Sequence, residues 1–240
     1  MFEIEGIVLR ITPFKDNDMM VNVISSDGLY SFLARGVMKL ESKNSTSINR
    51  LAKSLFCLSK GKDGYSLRQG SLIDSFENSK SSLESLLSLD FINEVTIKLV
   101  NNNEDASSVY PILNKTLCLL DDGFDQISTC LLYLASLLKK IGSGLDVDEC
   151  VICHEKGQIG AISYLDGGFI CPNCFNALKH VRYDKEKLNI VRYIFKVDID
   201  KYGTTAFSKE KAIAILKDLV SFTENTFDIK IKSAKNLIFE

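Results

Sequence analysis

Over residues 1–76 the chain keeps a period near two. Ile4, Gly6, Val8 and Arg10 alternate with Glu5, Ile7 and Leu9, and Val21, Val23 and Ile24 follow. Asp27-Gly28 between β-prone segments predicts a hairpin, with Tyr30, Phe32, Leu33 and Ala34 in its return strand. Lys39 to Asn49, rich in Ser, Lys and Asn, reads as a mobile loop. Leu51 to Leu58 predicts another strand, Lys60-Gly61-Lys62-Asp63-Gly64 a turn, and Tyr65 to Phe76 a last strand. About five short strands at regular spacing predict a small barrel or sandwich.

After Phe76 the period lengthens. Leu83, Leu86, Leu87, Phe91, Glu94, Val95 and Lys98 follow helical spacing, with polar starters at Ser79 to Ser82 and Glu84 in the first turn. A second helix is predicted over Ser107 to Leu120, with Pro111 near its start, where proline is tolerated. A third runs from Phe124 to Ile141 and stops at Gly142-Ser143-Gly144. Beyond the cysteine-bearing stretch, helices are expected at Pro172 to Lys179, Lys185 to Phe195 and Lys209 to Thr226, the last capped by Ser208. The fold class is therefore α+β, with β-structure first and helices after it.

A chain of 240 residues with 45% hydrophobic positions has room for one large or two small domains and a real core. The N-terminus lacks the basic and apolar regions of a signal peptide. The longest apolar stretch, Ile127 to Leu138, is too short to span a bilayer. Both point to a cytoplasmic protein without a membrane partner. Seven cysteines in a reducing compartment exclude a complete disulfide framework and favour metal binding where they cluster. Cys57, Cys118 and Cys130 lie in apolar stretches and are expected to act as small buried hydrophobes.

Cys150-Val-Ile-Cys153, then 17 residues, then Cys171-Pro-Asn-Cys174 is a four-cysteine zinc spacing. Two residues between ligands let a tight turn aim both sulfurs at one point. The stretch Ala161 to Ile170, with Asp166-Gly167-Gly168 at its middle, predicts a hairpin that brings the second pair beside the first. One zinc ion held by Cys150, Cys153, Cys171 and Cys174 has no open coordination position, so the site is structural. His154 and His180 are expected at the surface. A nucleobase deaminase is excluded, because His154 is followed directly by Glu155 and the proline sits inside the second pair. The sequence also holds no phosphate-binding Gly-x-x-x-x-Gly-Lys-Ser/Thr loop, no Gly-x-Ser-x-Gly elbow and no His-Glu-x-x-His. The paired acids Asp16/Asp18 and Asp121/Asp122 read as a turn and a helix end. A non-enzymatic role follows.

Charge is uneven. Between Ala34 and Gly70 stand Arg35, Lys39, Lys43, Arg50, Lys53, Lys60, Lys62 and Arg68 against Glu41 and Asp63, whereas Ser81 to Glu149 carries a net −7. A basic barrel suggests single-strand nucleic-acid binding, with Tyr30, Phe32, Phe56 and Tyr65 as candidate stacking platforms. A solvated charged face is the bland alternative.

Gly6-Ile-Val-Leu9, Asp16-Asn-Asp18, Ala34-Arg35-Gly36 and Ser42 occur in the order found in the RecO family of bacterial DNA repair proteins. Leu137-Leu138, Gly142/Gly144 and the cysteine pairs with Gly167-Gly168-Phe-Ile-Cys171 between them complete the likeness. The chain resembles the zinc-containing branch of that family over residues 1–180. The resemblance implies an N-terminal OB-fold barrel over 1–78, then a helical domain over 79–240 carrying the zinc module at 150–174. It implies a mediator of DNA repair and recombination that binds single- and double-stranded DNA, anneals complementary strands and assists RecA loading on SSB-coated DNA. RecR and SSB would be its partners, with RecF and RecA indirect ones. Arg35 falls in the matching Ala-Arg-Gly motif. With Lys39, Lys43, Arg50, Lys53 and Arg68 it forms the candidate DNA-binding set, although Val37, Met38 and Leu40 interrupt the basic stretch. Two rival readings remain open: a protein-interaction adaptor whose acidic middle docks a basic partner, and an RNA-binding OB-fold factor.

Overall fold

The computed structural model describes residues 1–62, 64–202 and 207–238, the side chain of Asp200 excepted. Five strands open the chain: β1 (Phe2–Lys15), β2 (Asp18–Ser25), β3 (Gly28–Ala34), β4 (Lys53–Gly61) and β5 (Gly64–Asp74). They close into a barrel in the order β1-β2-β3-β5-β4, with β1 pairing β4 across the seam. β3 and β5 are parallel and meet only at Phe32↔Tyr65 and Leu33↔Ser66. The expected turn at Asp27-Gly28 links β2 to β3, with Gly28 at φ +130°. Of the second expected turn, Asp63 lies outside the described residues.

Val8, Val21, Val23, Phe32, Phe56 and Leu58 fill the barrel. Ile7, Leu9 and Ile24 point outward into a second, larger apolar cluster shared with the helices. That explains the unbroken apolar run Ile7-Val-Leu9: both faces of β1 are buried there. Phe32 and Phe56 are core residues at 1% and 0% exposure, which removes them as stacking platforms.

The segment read as a mobile loop is pinned. Ser45–Ile48 forms a 3₁₀ turn with Ser47 and Ile48 buried. The Asn44 side chain accepts from Gly70 N at 3.0 Å, and Ser54 Oγ donates to the Ser47 carbonyl at 2.8 Å. A Cβ on Gly70 would lie 2.1 Å from Ser47 Oγ, so the glycine lets the loop settle onto the barrel. Val37, one of the residues that interrupt the basic stretch, is 1% exposed and plugs the barrel.

Among the described residues six α-helices follow: α1 (Leu83–Leu99), α2 (Asn103–Asp121), α3 (Gln126–Lys140), α4 (Lys185–Lys196), α5 (Lys209–Phe227) and α6 (Lys232–Ile238). Side-chain caps start four of them: Ser82, Asn102, Asp125 and Asp184. Ser208 stands at the start of α5 without a side-chain bond. α3 is buried on every face from Ile127 to Leu138, so it is the axis of the helical half. α2 begins earlier than its periodicity suggests, because Asn102 caps it. Pro111 therefore lies inside the helix, where it costs a backbone bond. The expected helix at Pro172 to Lys179 is absent; turns take its place. α6 carries no signal that the sequence reading used.

α2 joins the halves. Asn103 Oδ1 accepts from Leu29 N at 3.0 Å, and Tyr110 Oη donates to Glu5 Oε1 at 2.9 Å. Among the described residues no helix is long and apolar enough to cross a membrane.

Candidate metal centre and nucleic-acid cleft

Cys150, Cys153, Cys171 and Cys174 converge as their spacing predicts. Their four sulfur atoms all lie within 4.8 Å of one another. Cys153 Sγ and Cys171 Sγ are 3.6 Å apart, far beyond a disulfide and close to the edge of about 3.8 Å that a tetrahedron with 2.3 Å metal–sulfur bonds requires. Each pair sits on a tight turn. His154 N donates to the Cys150 carbonyl at 2.8 Å with His154 at φ +61°, and Cys174 N donates to the Cys171 carbonyl at 3.2 Å.

The predicted hairpin brings the turns together. β6 (Ala161–Ser163) pairs antiparallel with β7 (Gly168–Ile170) and, on its other side, with β8 (Val181–Arg182). Gly168 is required at this position: a Cβ there would lie 2.3 Å from the Asp146 carbonyl oxygen. α4 ties the module to the helices. Arg192 donates to the Val147 carbonyl at 3.0 Å, and its guanidinium lies 5.1 Å from the Phe169 ring centroid.

One thiol of the four is poised to lose its proton. Burial works against the Cys150 thiolate, but backbone N–H groups of Cys171, Cys153 and Ile152 outweigh it and hold the thiol at about 6. Cys174, beside the Cys153 sulfur, is pushed up to about 12. One thiolate forms easily and further ones repel it, until a cation neutralises the set. Four sulfur donors and no carboxylate suit a thiophilic tetrahedral ion.

Neither histidine joins the cluster. His154 is exposed, with Nδ1 2.6 Å from Glu149 Oε1. His180 is buried at 7%, contrary to expectation. Its Nδ1 accepts from Asn176 N at 2.9 Å, and its Nε2 lies 3.3 Å from Asp166 Oδ2, so it clasps the second cysteine turn to the hairpin. Cys130 is buried as expected, whereas Cys57 and Cys118 are only partly so.

The barrel carries a cleft of about 930 Å³ across β3, between the β1–β2 tip and the β4–β5 turn. Lys15, Arg35 and Lys62 supply its cations, Phe14 and Tyr65 its rings, and Asp18 its one carboxylate among the described residues. Asp18 Oδ1 accepts from Gly36 N at 2.7 Å, which fixes the Ala-Arg-Gly turn against the hairpin. Of the six candidate DNA contacts, Arg35 alone lines this cleft. Lys39 and Lys43 are exposed on the loop that follows it. Arg50 pairs with Asp90 on α1. Lys53 lies 2.9 Å from Glu5, which holds the Glu5 carboxyl below its usual value. Arg68 donates to Ser59 Oγ at 2.8 Å on the outer face of β4–β5. Sequence reasoning missed Phe14, Lys15 and Lys62 as a group. An aromatic followed by a lysine at a strand end was the available signal.

The family model described as "Recombination protein O C terminal" matches residues 80–235, and "Recombination protein O N terminal" matches residues 1–76. The chain belongs to the RecO family. DNA repair protein RecO of Bacillus cytotoxicus is 25% identical over 99% of this chain and 97% of its own length. RecO of Bacillus mycoides is 26% identical over 86% of this chain and 84% of its own, and RecO of Bacillus anthracis 24% over 99% and 97%. The two RecO matches meet between the end of β5 and the start of α1.

Proposed function

We propose that this chain is a non-enzymatic, cytoplasmic mediator of recombinational repair. It binds single- and double-stranded DNA, anneals complementary strands, and works with RecR to load RecA on SSB-coated DNA. The observation that carries the DNA-binding part is the cleft, because Lys15, Arg35 and Lys62 converge on the β3 face between two hairpin ends. In OB-type barrels that face, with those two loops, takes up oligonucleotides. RecR, SSB and, indirectly, RecF and RecA enter through family membership.

The mechanism is electrostatic. Cations on the cleft and on the Lys39/Lys43 loop neutralise backbone charge and lower the cost of bringing two strands together. Residues 1–78 form the DNA-binding domain in this reading, and 79–240 the partner-binding domain. The metal is zinc: four thiolates close its coordination sphere, so it stiffens the 150–174 module and takes no part in chemistry.

The acidic middle segment argues against the adaptor. Several of its carboxylates are engaged within the chain: Asp90 with Arg50, Asp121 on Ser79 N, Asp125 on Ser128 N, Asp148 with Lys196.

The test is strand annealing with one oligonucleotide coated by SSB, over a salt series. Acceleration that fades with salt is expected, and a triple charge reversal at Arg35, Lys39 and Lys43 should flatten the log–log salt slope by roughly 2 on single strands. Salt-independent affinity would sink the mechanism. Indifference to the charge reversal would favour the adaptor, and preference for RNA of the same sequence would favour the RNA-binding reading.

A further inference from the structure

Phe14 is the one exposed aromatic among the described residues, with 51% of its surface open to solvent. It belongs to neither apolar cluster, so packing does not account for it. Its position is specific. β1 and β2 pair at Pro13↔Met19 and again at Lys15↔Asp18, and Phe14 falls at the register shift between them, without a cross-strand partner. An extra residue at such a point re-aims its side chain. Here the ring lines the basic cleft beside Lys15, Arg35 and Lys62, and the Lys15 ammonium lies 5.6 Å from its centroid.

The other rings near the cleft are occupied. Phe32 is in the core. Tyr65 packs against Phe2 with centroids 5.3 Å apart and against Tyr30 at 6.0 Å. Phe14 is left half-exposed among cations, with the Lys15 ammonium over its ring, a combination that matches a base and its flanking phosphates.

We infer that Phe14 is the base-stacking residue of the cleft and makes it prefer single strands to duplex, an inference that rests on the DNA-binding reading above. A duplex keeps its base faces inside its own stack, so the ring has nothing to cover. A single strand offers them. Stacking also holds a base by its face and leaves its pairing edge free, as annealing needs.

The chain contains no tryptophan, so Phe14→Trp places a single indole in the cleft, excitable apart from the tyrosines. Full-length protein is titrated with oligo(dT), an abasic strand of equal length and a duplex. Oligo(dT) should quench the indole, and the abasic strand should not. Phe14→Ala should bind oligo(dT) about ten-fold more weakly and keep its affinity for the abasic strand and the duplex. Its salt slope should not change, because no phosphate contact is lost. Unchanged oligo(dT) affinity in Phe14→Ala, with salt-sensitive binding by the parent, overturns the inference and leaves the DNA-binding reading intact. Equal weakening on the oligo(dT) and abasic strands also overturns it, since the residue would then act through hairpin shape. If the parent protein binds no strand at low salt, the DNA-binding reading itself fails.

Discussion

In the barrel, β1 runs for 14 residues and is paired along both edges, whereas in the cysteine module no strand exceeds three residues. Short sheets of that kind do not hold by themselves in water. The barrel has a filled interior and an outer face buried against helices. The module has four converging sulfurs, a buried histidine clasp and Arg192. Backbone ladders and apolar burial therefore hold one β assembly; the other seats Ile162 and Phe169 in the helical core but has little ladder, and depends on side-chain clasps as well. The two should fail under different insults.

Metal removal should separate them most. A four-thiolate site contributes on the order of 10 kcal/mol of binding free energy in isolated metal-folded peptides. Chelation, or Cys171→Ser, should strip exchange protection from the amides of β6, β7 and β8 while those of β1 to β5 keep theirs. Equal loss in both regions would show that the module props up the barrel as well. Inserting a methyl group gives a smaller and sharper contrast. At Gly6 a Cβ would lie 2.3 Å from Val23 Cγ1 and 2.8 Å from the Ile24 carbonyl oxygen; at Gly168 the Asp146 carbonyl oxygen is 2.3 Å away. Gly6→Ala should cost about 1–3 kcal/mol of overall stability in urea unfolding. Gly168→Ala should instead splay the cysteine turns and register as weaker metal affinity in a competition titration.

The same contrast governs what could be read from the sequence. The strands were legible because period-two patterning and Asp27-Gly28 act locally, and the cysteine cluster because its Cys-x-x-Cys spacing encodes its own turns. Non-local effects were not legible. The helix expected at Pro172 to Lys179 gives way because Cys171 and Cys174 must aim at one point and Asn176 N is taken by His180. His180 is buried where it pairs with Asp166, a contact to the hairpin that no period announces. The polar Lys39–Asn49 stretch is pinned through Gly70, far along the chain. The cleft arises only when the β1–β2 tip and the β4–β5 turn meet over β3. Composition therefore located its basic segment but missed Lys15 and Phe14.

The most local expected effect concerns a clasp with no counterpart in the barrel's ladder. α6 docks through Glu94 on α1. Its Oε2 accepts from Ser233 N at 2.7 Å and from Ser233 Oγ at 2.6 Å, and its Oε1 accepts from Lys232 N at 3.1 Å and lies 2.9 Å from Lys98 Nζ. Partial burial works against the carboxylate, but these donors outweigh it and hold the group at about 2 against an ordinary 4.5. Because the folded value lies below the unfolded one, the stabilisation is complete above about pH 4.5 and is lost as pH falls through 2. It amounts to about 2 kcal/mol once partial exposure to solvent is allowed for. Glu94→Gln should therefore be less stable than the parent at pH 7, by a gap that narrows at pH 3 and closes below pH 2. Urea unfolding at those pH values measures the gap, and amide exchange at α6 locates it. A gap independent of pH would mean that α6 docks through Ala234 and Ile238, both buried, rather than through the ionised carboxylate. Apolar burial would then hold this part of the helical half as it holds the barrel, and the contrast would narrow to the cysteine module alone.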